Sequence, residues 1–224
     1  MSDNHDDAIL IEAGRMASRL IHDFKNQLGG MKLYAAYLKK RFADNPEGVE
    51  IAEKIIQGLN EMADQAALIG RLMRPIELRR EKNDPAQLLA MAVSGARARA
   101  ESKQVRIAID AAVDLPAVSF DLQQMQAAIA SILARAIEAS PEDGEVAVSL
   151  RLVDASLRIE VADWGETPEE QRLRMFFDPL TNERISQASL GLALARRVVE
   201  LHGGEVVARA GSPTGTVVEV KLKI

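Results

Sequence analysis

One helical turn of this chain brings together three side chains able to do chemistry. His22, Asp23 and Asn26 stand in the stretch LIHDFKNQLGG. At about 100° per residue, positions i and i+4 share a helix face, so Asn26 sits one turn from His22. Asp23 reaches the ring from the side. Imidazole is a nucleophile and a phosphoryl acceptor. A carboxylate beside it can hold the proton of one ring nitrogen and leave the other's lone pair for attack. An amide at i+4 can orient a water toward a phosphoryl group. The spacing alone does not separate this set from an ordinary polar helix surface, where all three residue types are common.

The other candidates point to structure. His202, in ELHGG, ends a helix ahead of two glycines and suits a structural or dipole-complementing role. His5 lies near the chain start with no partner pattern. The carboxylates of PEDGE and TPEEQ read as solvated turns, and Phe176 and Phe177 as core packing, with facing a pocket as the alternative. No His/Glu spacing suggests a metalloenzyme and no serine-containing elbow suggests a hydrolase.

The elements that must position His22 show in the hydrophobic periodicity. From about residue 8 to 42, Ala17, Leu20, Phe24, Leu28, Met31, Ala35, Leu38 and Phe42 recur at spacings of three and four, one helical stripe. His22 falls well away from that stripe. In ADNPEG, Asn45 can cap a second helix with Pro46 at its first position. The second stripe runs through Val49, Ala52, Ile56, Leu59, Ala63, Ala66, Ile69 and Met73 to a breaker at Arg74-Pro75. Two such helices form an antiparallel hairpin, and pairing two hairpins into a four-helix bundle buries both wide stripes. A homodimer is therefore expected, with a hairpin packed on its own second domain as the alternative.

Beyond the connector PIELRREKND the pattern alternates. DPAQLLAMAVSGARARA, DLQQMQAAIASILARAIEAS and LGLALARRVVELHGG read as helices, and QVRIAID, EVAVSLRLV, SLRIEVAD, EVVARA and TVVEVKLKI as strands. The fold class is α+β: a helical hairpin over residues 1–75, then a two-layer α/β sandwich over residues 76–224.

Composition sets the outer bounds. The chain has 224 residues, 47% hydrophobic and 27% charged, as in ordinary globular proteins. A net charge of −5 and 4% aromatics argue against nucleic-acid binding, and no basic run suggests an anionic membrane. With no cysteine there are no disulfides or thiolate metal sites, which suits a cytoplasmic setting. The acidic start with its short apolar run reads as neither signal peptide nor anchor.

RLIHDFKNQLGGMKLYAAYLKK resembles the phosphoacceptor helix of two-component sensor histidine kinases, with Gln27 where many members carry proline. SILARAIEASPEDG, VADWGETP, MFFDPLTNER and ASLGLALARRVVELHGGEV resemble, in order, the nucleotide-binding boxes of their ATPase domain. The resemblance implies that His22 accepts a phosphoryl group, Asp23 acts as base and Asn26 assists phosphatase chemistry. It places Asp163 at the adenine amino group, with Gly165 and Gly191 as surviving box glycines.

The departures fall on the same boxes. Arg135 replaces the asparagine that ligates Mg²⁺, and Ser131 an upstream asparagine. Thr167 replaces the second glycine of the first box, where Trp164 adds bulk. Gln187 and Ser189 replace glycines of the phosphate loop, and the segment from Phe177 to Gly191 is short for a lid. A guanidinium has no lone pair for a metal. The altered motifs imply a dimeric histidine phosphotransferase with a vestigial nucleotide site and no cofactor, working with response-regulator receiver domains. Two readings stand against it: an active cytosolic histidine kinase using ATP and Mg²⁺, and a non-catalytic adaptor that binds a response regulator.

Overall fold

The computed structural model describes the backbone of residues 3–73, 76–179 and 187–223, with side chains over 19–70, 76–179 and 188–223. The chain divides into two compact units, Met1–Pro75 and Ile76–Ile224. The breaker at Arg74-Pro75, the lid segment at 180–186 and the side chains of His5, Ala17, Met73 and Gln187 lie outside the described residues. No helix among the described residues is long and apolar enough to cross a membrane.

The first unit is a hairpin of α1 (Asp3–Arg41) and α2 (Pro46–Met73). Helix α1 starts about five residues before its apolar period does. The Asn45 side chain accepts the Gly48 N–H at 3.3 Å and its carbonyl accepts that of Val49 at 3.0 Å, so the expected cap forms. Leu28 and Ala35 on α1 and Ala52 and Ala66 on α2 are buried, and Lys39 pairs with Glu53 across the helices at 2.7 Å. Two helices share one line of contact, narrower than these stripes. Leu20, Phe24, Met31, Leu38 and Phe42 of α1 and Ile51, Ile55 and Met62 of α2 consequently stay exposed on the single chain.

The second unit contains β1 (Glu81–Asn83), α3 (Pro85–Ser102), β2 (Arg106–Ala111), β3 (Val118–Phe120), α4 (Leu122–Ala139), β4 (Glu145–Val153) and β5 (Ser156–Ala162). It continues through α5 (Glu170–Arg174), α6 (Gln187–Leu201), β6 (Glu205–Ala210) and β7 (Thr216–Lys223). Five strands form one sheet in the order β2-β4-β5-β7-β6; β2 and β4 are parallel and the other pairs antiparallel. Strands β1 and β3 make a separate antiparallel pair. In β4 the alternation turns Val146, Val148 and Leu150 into the core, and the register sets Leu150 beside Ile159 and Ile159 beside Val220. Helices α3, α4 and α6 close over this row, giving the two-layer sandwich.

Helix α4 does most to place the site. Met125, Ile129, Ile132, Leu133 and Ile137 form its buried stripe, each burial stabilising by about 2 kcal/mol. Asp121 caps its start, with Oδ1 accepting from Gln124 N at 3.0 Å. With that stripe fixed against the core, the neighbouring row Ser131, Arg135, Ala139, one turn apart each, falls along the helix edge.

Candidate functional site

The His22 set forms on one turn of α1. His22 and Asp23 are 71% and 73% exposed at their side chains, because the stripe that packs on α2 lies on another face. His22 Nδ1 meets both neighbours: it lies 3.5 Å from Asp23 Oδ1 and 3.3 Å from Asn26 Nδ2. The two contacts need opposite tautomers: Asn26 Nδ2 can donate only to an unprotonated Nδ1. The tautomer with the proton on Nδ1 instead donates to the Asp23 carboxylate and leaves Nε2 with its lone pair, and Nε2 has no partner among the described residues. Orienting one ring nitrogen so that the other faces outward is what a nucleophilic imidazole requires.

In the second unit Asp163 is buried at the end of β5, with Oδ1 accepting from Gly165 N at 3.0 Å and Thr216 N at 3.2 Å. Burial pushes its carboxyl above the usual carboxylate value, against the Gly165 N–H, the Arg135 charge and the Thr216 N–H, which pull it down. The turn after β5 comes very close to α4, since a Cβ at Gly165 would stand 2.3 Å from the Ala139 carbonyl. Thr216 Oγ1 is buried and has no hydrogen-bond partner among the described residues. Trp164 turns outward, half exposed.

Arg135 and Ala139 line a pocket of about 440 Å³ that Thr167, Arg172, Met175, Phe176, Ser189 and Leu192 also border. The Arg135 guanidinium stands over the Phe176 ring, 5.6 Å from its centroid, and Phe176 packs edge-on against buried Phe177. Ser131 turns its hydroxyl back to the Ala127 carbonyl at 3.0 Å. Gly191 lies within α6 and packs α6 on α4, since a Cβ there would be 3.3 Å from Ser131. Gln187 begins α6, and Ser189 belongs to its first turn. Residues 187–191 are thus helix, not an open loop of amides.

The two box positions Ser131 and Arg135 offer no free oxygen ligand for Mg²⁺. The cation takes oxygen ligands in octahedral geometry. Arg135 offers only N–H donors, and the Ser131 hydroxyl is engaged by its own helix. Among the described residues, no three His, Asp or Glu side chains converge to hold a metal ion.

Two features were not anticipated from the chain. Arg172 enters the pocket wall from α5, a helix of only five residues, too short for a period to mark it. His202 is neutral by geometry: Nδ1–H donates to the Val198 carbonyl at 2.8 Å and Nε2 accepts from Asp121 N at 2.9 Å. Burial pushes its pKa below the ordinary value, so it serves as a bolt from α6 to the start of α4, not as a charge on the helix dipole. No spacing signals a pairing across so many residues.

Residues 120–224 match the family described as Histidine kinase-, DNA gyrase B-, and HSP90-like ATPase. Sensor histidine kinase ZraS of Klebsiella oxytoca is 22% identical over 216 residues, covering 96% of this chain and 47% of that protein. The C4-dicarboxylate transport sensor protein DctS of Rhodobacter capsulatus is 26% identical, over 96% of this chain and 34% of its own length. The chain thus spans less than half the length of these curated relatives. Among solved structures, full-length ShkA in complex with AMPPNP superposes with a TM-score of 0.76 at 20% identity, over 93% of this chain and 45% of that one. The histidine kinase ThkA in complex with the response regulator protein TrrA gives 0.71 at 18% identity, over 98% and 63%.

Proposed function

We propose that this chain, which has the hairpin-plus-ATPase-domain core of a two-component sensor histidine kinase, relays phosphoryl groups through His22 without ATP as donor. The carrying observation is an exposed His22–Asp23–Asn26 set in a chain whose nucleotide pocket presents Arg135 where an oxygen ligand for metal is needed. Phosphoryl transfer from ATP depends on metal and positioning more than on covalent chemistry by the protein. A receiver aspartyl phosphate brings its phosphoryl group already activated and needs neither from this pocket.

In the forward step the Nε2 lone pair of His22 attacks phosphorus. The N–P bond forms, the P–O bond to the receiver aspartate breaks, and the carboxylate leaves with the bonding pair. The ring becomes a phosphoimidazolium that keeps its Nδ1 proton, and the Asp23 carboxylate stabilises that charge. The reverse step hands the group to a second receiver aspartate. Asn26 positions water in the competing hydrolysis. Below His22 and Asn26 the same helix face continues through Leu33 and Tyr37, 73% and 62% exposed, an apolar surface for the incoming receiver. The exposed stripe from Leu20 to Phe42 with Ile51, Ile55 and Met62 supports a homodimeric four-helix bundle. Asp163, Gly165 and Gly191 then hold together a vestigial nucleotide domain, altered at Ser131, Arg135, Thr167, Gln187 and Ser189.

The test is incubation with a receiver carrying labelled aspartyl phosphate. Acid-labile, base-stable label is expected on the wild-type chain and none on His22→Ala; label absent from both refutes the reading. The rival reading, an ATP-dependent kinase, draws on the ATPase family match over 120–224. It requires label from Mg-ATP. A non-catalytic adaptor requires that His22→Ala leave partner binding and output unchanged.

A further inference from the structure

We infer that the open edge strand β2 of the second unit is a contact surface for a second copy of this chain, the two β2 strands pairing antiparallel about Ala108. The inference is separate from the relay through His22 and from the pairing of the hairpins.

Strand β2 ends the five-stranded sheet, with β4 on one side only. In a parallel pair, every second residue turns its N–H and C=O toward the neighbouring strand. Arg106 N donates to Gly144 O and Ala112 N to Leu150 O, each at 2.9 Å, and Asp110 O accepts from Arg151 Nη1 at 2.8 Å. The even-numbered residues therefore face β4. Ile107 and Ile109 direct their backbone groups outward, where these have no hydrogen-bond partner among the described residues. Such a row is a template for another strand, and RIAIDA carries neither the proline nor the lysine that commonly blocks an edge.

The stretch RIAID is complementary to its own reverse. Antiparallel pairing centred on Ala108 sets Arg106 opposite Asp110 of the second copy and Ile107 opposite Ile109, each twice by two-fold symmetry. Ile107 and Ile109 then occupy the hydrogen-bonded positions, where the free backbone groups lie. The charges and the two Ala108 side chains fall at the non-hydrogen-bonded positions, where side chains approach most closely. A slip of one residue sets outward groups against inward ones. A slip of two leaves both charges opposite uncharged residues.

The surroundings agree with this register. Arg106 already pairs with Glu145, and Asp110 with Arg151, across β2 and β4. Pairing extends them into an alternating row: Glu145 and Arg106 of one copy, then Asp110 and Arg151 of the other. Ile109 is 49% exposed although Val148 beside it on β4 is buried, and the second strand covers it. The opposite edge, β6, has a similar charge order from Glu205 to Arg209, but α5 packs against it. There Leu173, Arg174 and Phe177 share a cavity with Val206, Val207 and Ala208.

A contact this small is weak, so it is read by covalent trapping in concentrated solution and does not alter the mass of the dilute chain. The chain has no cysteine, so one introduced thiol reports alone. Two copies of Ala108→Cys place their Cα atoms about 4.5 Å apart, within reach of a disulfide. Ser149→Cys is the control, on the same sheet face but one strand further in. Under copper phenanthroline, Ala108→Cys in the full chain should cross-link at least about ten-fold faster than Ser149→Cys, both with wild-type melting profiles. Adding Arg106→Glu to Ala108→Cys should slow cross-linking by about ten-fold, since like charges then stand opposite each other. Mixing that variant with Ala108→Cys carrying Asp110→Arg should restore the rate as a mixed dimer, because the opposed charges attract again. Equal rates for Ala108→Cys and Ser149→Cys overturn the inference. So does a rate indifferent to Arg106→Glu, or a mixture that fails to recover it.

Discussion

Two glycines of the second unit share a left-handed backbone and differ in what surrounds them. Gly203 has φ +76° and a Cβ there would meet nothing within 4 Å, whereas Gly215 has φ +86° and its Cβ would stand 2.0 Å from the Asp163 carbonyl oxygen. In Gly203→Ala only the conformational cost remains, about 1 kcal/mol. In Gly215→Ala the backbone of Asp163 must move as well. Three hydrogen bonds meet at that residue: Asp163 N to Thr216 O at 2.9 Å, Thr216 N to Oδ1 at 3.2 Å and Gly165 N to Oδ1 at 3.0 Å. At about 1 kcal/mol each, their loss brings the total to about 4 kcal/mol. A unit of this size loses about 2–4 °C in Tm per kcal/mol, so about 3 °C is expected for Gly203→Ala and about 12 °C for Gly215→Ala. Thermal unfolding followed by circular dichroism measures both. Melting of the two variants within about 2 °C of each other refutes the reasoning that Asp163 ties β5 to β7.

Acid stability depends on groups of opposite sign. The folded pKa of His202 lies below 6.5, so as pH falls below 6.5 the unfolded chain takes up its proton first and stability declines. Burial alone would raise Asp121, but N–H bonds from Gln124, Arg79 and Gln123 hold its pKa below 3.8; its contribution is present above 3.8 and is lost as pH falls through the folded value. Asp163, raised above 3.8, opposes this trend by taking up its proton earlier in the folded state. His202→Gln should flatten the fall in Tm between pH 7.5 and pH 5, and an unchanged slope contradicts the assignment. Leu38→Glu puts a charge on the exposed stripe of α1 and should convert dimer to monomer in sedimentation equilibrium, while the second unit keeps its melting profile. Asn26→Ala should lengthen the lifetime of receiver acyl phosphate in the presence of this chain, by about ten-fold or more if its amide positions the water.

The long elements were legible because their periods extend over many residues. The stripes of α1 and α2, the Asn45 cap and the alternation of β4, β5 and β7 all appear in the chain itself. Strands β1 and β3, three residues each, and helix α5, five residues, lie below any such window, and β1 finds its partner β3 only across the intervening α3 and β2. The His22 set needed only helical spacing, since all three residues lie within one turn. The pocket drew on distant segments: Arg135 from α4, Arg172 from α5 and Ser189 from α6. Only the resemblance ordered those segments, and it gave no sign of Arg172 or of the bond between His202 and Asp121.

In the proposed relay the phosphoryl group on His22 comes from a receiver and not from ATP. Phosphohistidine formed on the full chain should therefore be quantified side by side, once with γ-labelled ATP and Mg²⁺ and once with a labelled phospho-receiver. Stoichiometric label on His22 is expected from the receiver and none above background from Mg-ATP. Label from Mg-ATP that disappears in His22→Ala would contradict the relay and make the chain a kinase.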